Sequence, residues 1–197
     1  MLYCNSMTTI YKTKDFKHLL GLPGFSDALL TNHFALYEGY VKNTNALLEL
    51  LDSKEPGTPE YSELQRRFGW EWNGMRLHEL YFGNMMKEAT PLSEGALKEK
   101  MISLYGSIEN WQKKFLAVGA MRGIGWVVLA HDTETGELFN VWINEHDGGH
   151  LAGATPLLVM DVFEHAFVLD YGTKRADYLA AFMSAIDWKV VESRFIA

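Results

Sequence analysis

A single cysteine, Cys4, in 197 residues rules out an intramolecular disulfide and any cysteine-built metal cluster. No run approaches the roughly 20 apolar residues that a membrane-spanning helix needs. The opening Met1-Leu2-Tyr3-Cys4-Asn5-Ser6-Met7 lacks the basic start and apolar core of a secretory leader, so a cytoplasmic location is expected. Positive charge is scarce as well. Eighteen Lys and Arg against 25 Asp and Glu give a formal charge of −7, which argues against a general binder of nucleic acid or anionic membrane.

What is present is ordinary for a globular chain, 48% hydrophobic and 22% charged, and the length suits one domain or two small ones. Aromatics are rich at 13%, with six Trp, which points to large side chains around a core or a site. Residues 1–22 read as irregular, and Leu20-Gly21-Leu22-Pro23-Gly24 as a turn. Ser26-Asp27 then reads as a helix N-cap before a helix to about Leu51, in which Leu29, His33, Leu36, Tyr37, Tyr40 and Val41 recur at helical spacing. The breakers in Asp52–Pro59 separate it from a second helix over about Glu60–Met86, and so short a polar connection favours an antiparallel hairpin.

Thr90-Pro91-Leu92-Ser93 is the best candidate linker, dividing an N-terminal part (1–90) from a C-terminal part (91–197). Beyond it, Ser93–Lys100 and Ile108–Val118 read as shorter helices. Gly125–Ala130 and Leu138–Asn144 read as strands about the turn Thr133-Glu134-Thr135-Gly136, and Pro156–Asp161 as a third strand entering a helix. A final helix is expected from about Lys174 to Ile186. The expected class is α+β: a long helical hairpin, then an α/β half with a small three-stranded antiparallel sheet and helices.

Asp161-Val162-Phe163-Glu164-His165 carries the most chemistry. On a helix, Asp161 and His165 would lie on one face about 40° apart and could grip one metal ion. Alone the pair is a weak signal. His33 on the first hairpin helix is either a satisfied interhelix histidine or a ligand, and His78, set among Trp70, Trp72, Leu80, Tyr81 and Phe82, is either core or a ligand. A hairpin can bring the two face to face. Three imidazoles and one carboxylate suit Fe, Mn or Zn, and a further position could stay open for chemistry. Closed structural zinc sites are usually rich in cysteine, so that use fits less well.

Over roughly residues 15–195 the chain resembles the iron/manganese superoxide dismutase family. The closest stretches are Tyr40–Asn45, Gly123-Ile124-Gly125-Trp126 and Pro156–Ala166, followed in order by Leu169-Asp170-Tyr171, Arg175, Tyr178, Phe182 and Asp187-Trp188. The resemblance implies a metal held by His33, His78, Asp161 and His165, one Fe or Mn per subunit. Counting back from Tyr40 without a gap puts Asn32 at the family's first ligand position, and a one-residue π-bulge in relatives, absent here, would restore His33. Tyr40 resembles the family's gateway tyrosine, and His146, with Gly74 four residues before His78, the group beside the metal-bound solvent. As a plain loop histidine near His150, His146 would have no such role.

Trp126 would wall the pocket or simply fill the strand core, and Arg175 would supply positive potential or a structural ion pair. Glu164 resembles the residue that bonds the ligand histidine of a second subunit, which implies a homodimer with a two-fold axis. The chain departs from the family at Phe163, where Trp is usual, at Val159, and at Val168, where the dimer gateway has a tyrosine. The altered gateway is read as rebuilt around Tyr37. The implied activity is disproportionation of superoxide to oxygen and hydrogen peroxide. The rival reading is a metal-free structural or assembly protein on the same fold.

Overall fold

A computed structural model describes residues 11–195. Cys4 and the Met1–Met7 segment, on which the readings of disulfide chemistry and of a leader rest, lie outside those residues.

Two long helices open the fold. Helix α1 spans Asp27–Ser53 and starts where the Ser26 hydroxyl accepts a hydrogen bond from the Leu29 amide at 3.1 Å. Helix α2 spans Pro59–Gly83; Thr58 caps it from outside, and Pro59 occupies a position where the missing amide costs nothing. The two pack as an antiparallel hairpin, and α1 turns Leu29, Leu30, His33, Tyr37, Val41, Thr44 and Leu47 inward. α2 stops three residues before the expected Met86. The Asn84 amide closes the last turn on Leu80 and Tyr81, and Met85 pairs with Ile186 as an isolated bridge.

Two shorter helices follow, α3 (Ala96–Tyr105) and α4 (Ile108–Gly119). α3 begins later and ends later than Ser93–Lys100. Ser93 is held instead by the Glu192 carboxylate, and α3 ends at Gly106, whose φ of +83° is a natural helix stop. The sheet comprises β1 (Gly125–Asp132), β2 (Leu138–Asn144) and β3 (Ala154–Asp161) in the order β2-β1-β3, antiparallel throughout. In this register Trp126 of β1 faces Ile143 on one side and Asp161 on the other. Gly125 is obligatory: its φ is +151°, and a Cβ there would lie 2.0 Å from the Ile143 carbonyl oxygen.

The Asp161–His165 stretch is not a helix. Asp161 ends β3, and Glu164–Ala166 form one 3-10 turn. Then come α5 (Val168–Tyr171), α6 (Arg175–Ser184) and α7 (Trp188–Arg194). α6 is the expected last helix, shortened by one residue at its start and two at its end. α7 was not anticipated, although Asp187 caps it and could have signalled it. α4 packs on β1 and β2, α2 and α7 on β3, and one hydrophobic core runs from the hairpin to the sheet. No helix among the described residues is long and apolar enough to cross a membrane.

Candidate metal centre

Four side chains meet where the hairpin touches the sheet: His33 from α1, His78 from α2, Asp161 from the end of β3 and His165 from the 3-10 turn. Their ligand atoms all lie within 4.8 Å of one another. The Nε2 atoms of His33 and His165 are each 3.1 Å from Asp161 Oδ2, and that of His78 is 3.7 Å away. His33, His78 and Asp161 are buried, whereas the His165 side chain keeps 28% of its surface exposed. Asn32, one position along α1, is exposed and on the outside. α1 is regular α-helix throughout, so His33, Tyr37 and Tyr40 keep their i, i+4, i+7 alignment.

Backbone groups aim two of the four. His78 Nδ1 lies 2.5 Å from the Gly74 carbonyl oxygen, which can only accept, so Nδ1 carries the proton and Nε2 presents a bare lone pair to the cluster. That Nε2 is buried and makes no hydrogen bond within the described residues. The Asp161 Oδ1 atom accepts from the Phe163 amide at 2.8 Å, which leaves Oδ2 for the histidines. His33 lacks such support, since its buried Nδ1 has no partner among the described residues.

Burial pushes the His33 and His78 pKa values down, the latter far down, and so keeps both imidazoles neutral. Burial alone would push the Asp161 carboxyl up. The imidazoles of His165 and His33 outweigh it and hold the group below the usual carboxylate range. Three imidazole nitrogens and a carboxylate oxygen converging without enough protons to share make a site short of one cation. The donor set of three nitrogens and one oxygen, without sulfur, fits Fe or Mn.

A second layer surrounds this group. The Tyr40 ring stacks on His78 at 5.2 Å between centroids, and Gly74 makes that possible, since a Cβ there would lie 2.5 Å from Tyr40 Cδ1. Tyr40 Oη is 2.7 Å from His146 Nε2, while His146 Nδ1 accepts from the Trp126 indole N–H at 3.1 Å. His146 Nε2 therefore holds the ring proton and donates it to Tyr40 Oη. The tight turn from Asn144 to Gly148 carries His146 inward, with Glu145 in the left-handed region at φ +51°. Burial lowers the His146 pKa to about 4 and raises that of Tyr40 to about 12. The Trp126 ring stands edge-on to His78 at 4.9 Å.

Other sequence-derived candidates sit differently. Arg175 donates to the carbonyls of Met121, Gly123 and Val162, bracing a loop and the end of β3 to α6. Glu164 is exposed beside His165. Tyr37 is buried and donates to Glu79 Oε1 at 3.1 Å while accepting from the Lys14 amide at 3.0 Å. Its hydroxyl is committed there, and Val168 is 46% exposed. Sequence reasoning assigned no site contact to two rings, Phe163, stacked on His146 and His165 at 4.7 and 5.0 Å, and Trp70, edge-on to His146 at 5.0 Å. Trp70 lies two helical turns before His78 on α2, a spacing that could have flagged it.

Known proteins match this chain over most of its length. The model of the iron/manganese superoxide dismutases, C-terminal domain, matches residues 93–194. A superoxide dismutase [Fe] of Cupriavidus metallidurans is 37% identical over 182 residues, covering 89% of this chain and 91% of that protein. A superoxide dismutase [Mn] of Haloferax volcanii is 36% identical over 176 residues, with 88% of each chain covered. A superoxide dismutase [Fe] of Aquifex pyrophilus is 33% identical over 197 residues, with 94% and 92% covered. With identity of this order across most of its length, and a family model matching more than half of it, this chain belongs to the iron/manganese superoxide dismutase family.

Proposed function

We propose that the protein is a superoxide dismutase that works with one Fe or Mn ion per subunit, held by His33, His78, Asp161 and His165. The observation that carries this reading is the bare, buried His78 Nε2 aimed at Asp161 Oδ2 between two further imidazoles. An Fe or Mn ion in that cage supplies one-electron redox chemistry, so that one superoxide leaves as oxygen and a second, with two protons, as hydrogen peroxide.

The chain's own residues then handle binding and protons. The Gly74 carbonyl and the Phe163 amide fix the orientation of His78 and Asp161, a task such outer partners commonly serve. Tyr40 stays protonated at neutral pH and already accepts the His146 proton, so its own hydroxyl hydrogen is free for the reacting oxygens. Trp126, Phe163 and Trp70 wall His146 from bulk water. Arg175 contributes by holding the loop behind the site and by leaving one positive charge near it.

The same reading takes the protein as a cytoplasmic homodimer whose N-terminal (1–90) and C-terminal (91–197) parts each lend two ligands. In support of a dimer, Glu164 is exposed next to a partly exposed His165, and Met121, Ile124, Val168 and Leu169 are exposed apolar residues. Separate reconstitution with Fe and with Mn, followed by metal analysis and a superoxide-removal assay, tests the function. At least one form should hold about one ion per chain and remove superoxide. Protein that binds neither ion, or binds one and leaves superoxide untouched, refutes it.

A further inference from the structure

On the far side of α2 from His78 lies a cavity of about 620 Å³ that shares no residue with the four-ligand group. Val128, Val141 and Ile143 of the sheet form one wall, and Trp72, Leu77 and Leu80 of α2 form the other. Its size falls within the range of about 300–1,000 Å³ found for small-molecule sites, and its lining has their mostly apolar character.

The charges around it are unbalanced. Lys14, Arg76 and Arg194 line it against a single carboxylate, Glu79, in a protein of formal charge −7. Glu79 is already bound by both Lys14, at 3.0 Å, and Arg76, at 2.7 Å. Arg194 stands apart from that trio. Its guanidinium is half-buried at the end of α7 and, among the described residues, donates only to neutral oxygens: Leu157 O at 2.6 Å, Leu80 O at 3.2 Å and Asn84 Oδ1 at 3.3 Å.

Two Nη1 bonds and one Nη2 bond leave the Nε–H and one Nη2–H without an acceptor among the described residues. No carboxylate pairs with Arg194 there either, and burial lowers its pKa only to about 10, so it remains charged at neutral pH. A half-buried guanidinium with no carboxylate beside it and two free N–H groups draws an anion, and its planar fork suits a carboxylate better than any other common anion but phosphate. The walls are too apolar to hold a phosphate's full hydration, and an aliphatic chain fits them.

We propose that this cavity binds an amphipathic monocarboxylate, its carboxylate on Arg194 and its aliphatic chain between α2 and the sheet. The site is separate from the redox centre, so occupancy tightens the packing of α7 on α2 and β3 without touching the metal ligands.

Titration of the metal-loaded, full-length protein with decanoate, below its micelle-forming concentration, tests this by calorimetry and thermal unfolding. One decanoate should bind per chain and raise Tm, while decanol, lacking the charge, should bind about ten- to a hundredfold more weakly. Arg194→Gln should show the same loss for decanoate. Val141→Phe, which narrows the space between α2 and the sheet and leaves Arg194 in place, should weaken decanoate binding with superoxide removal unchanged. Equal binding of decanoate and decanol, or decanoate binding that Val141→Phe leaves unchanged, overturns the proposal. Should Arg194→Gln fail to fold, those two comparisons still decide.

Discussion

Replacing Gly74 by alanine separates ordinary helix energetics from the demands of the site. Alanine in a helix interior normally gains about 0.5–1 kcal/mol over glycine. At Gly74 the new Cβ would meet Tyr40 Cδ1 at 2.5 Å and Cε1 at 2.7 Å. Restoring ordinary contact requires the Tyr40 ring to move by about 1 Å, and overpacking of this kind costs about 1–3 kcal/mol. The net effect is a loss of about 0–2.5 kcal/mol, or up to roughly 10 °C in Tm for a chain of this size. The same displacement stretches the 2.7 Å contact between Tyr40 and His146 past hydrogen-bonding distance. Superoxide removal should then fall by up to about a hundredfold, the scale of a 1 Å misplacement at a catalytic group. Gly69→Ala is the control, since a Cβ there meets nothing within 4 Å, and it should stabilise α2 with full activity. In a Tyr40→Ala background the stability penalty of Gly74→Ala should vanish. If Gly74→Ala instead raises Tm as Gly69→Ala does, with activity intact, the argument that Gly74 exists to seat Tyr40 is wrong.

Metal analysis of purified variants should find His33→Ala depleted and Asn32→Ala fully loaded; the reverse pattern would reassign the ligand. Metal-free protein should lose stability as pH falls from about 6.5 to 4. Buried His146 titrates near 4 when folded but near 6.5 when unfolded, so the unfolded chain binds more protons in that window, and the loss reaches about 3 kcal/mol at pH 4. His33 and His78 shift in the same direction and add to it, and Asp161, held ionised when folded, extends the loss below pH 4; a flat urea midpoint from pH 7 to 4 would contradict this. Tyr40→Phe and His146→Leu should each cut activity, and the double variant should lose no more than the worse single one, because the two share one hydrogen bond. Sedimentation should find the native protein dimeric and Glu164→Ala dissociating at higher concentration; a monomeric native protein would remove Glu164 from any interface.

Local chemistry made most of the fold legible. Ser26, Thr58-Pro59 and the Thr133–Gly136 turn each announce an element boundary, and the structure has boundaries there. The helical reading of Asp161–His165 failed because a spacing of four is not unique to a helix. Here β3 ends, the Phe163 amide turns back onto Asp161 Oδ1, and a single 3-10 turn returns His165 to within 3.1 Å of Oδ2. Short apolar runs such as Leu157–Met160 do not declare strand or helix by periodicity. Tyr37 could not be placed from sequence, since its partner Glu79 lies 42 residues away and points away from the ligand beside it. Phe163 escaped for a similar reason, its contact with His146 being with a loop residue whose path depends on a left-handed Glu145.

His146 shows why residue type alone does not define a role. From sequence it is a candidate to face the metal-bound solvent directly. In the fold one ring nitrogen is taken by the Trp126 indole and the other by Tyr40. Trp126 can only donate, so it dictates the His146 tautomer, and that tautomer dictates which way the proton lies in the bond to Tyr40. Tyr40 is thereby left as an acceptor from His146 with its own hydrogen pointing elsewhere, and the group beside it is His78. A glutamine at position 146 could hold the same two bonds only with its carbonyl toward Trp126 and its amide toward Tyr40, and would keep one N–H to spare. Histidine keeps none. The His146 ring is thus tied to Tyr40, and the indole of Trp126, an ordinary core residue by its burial, sets which way the proton lies between them.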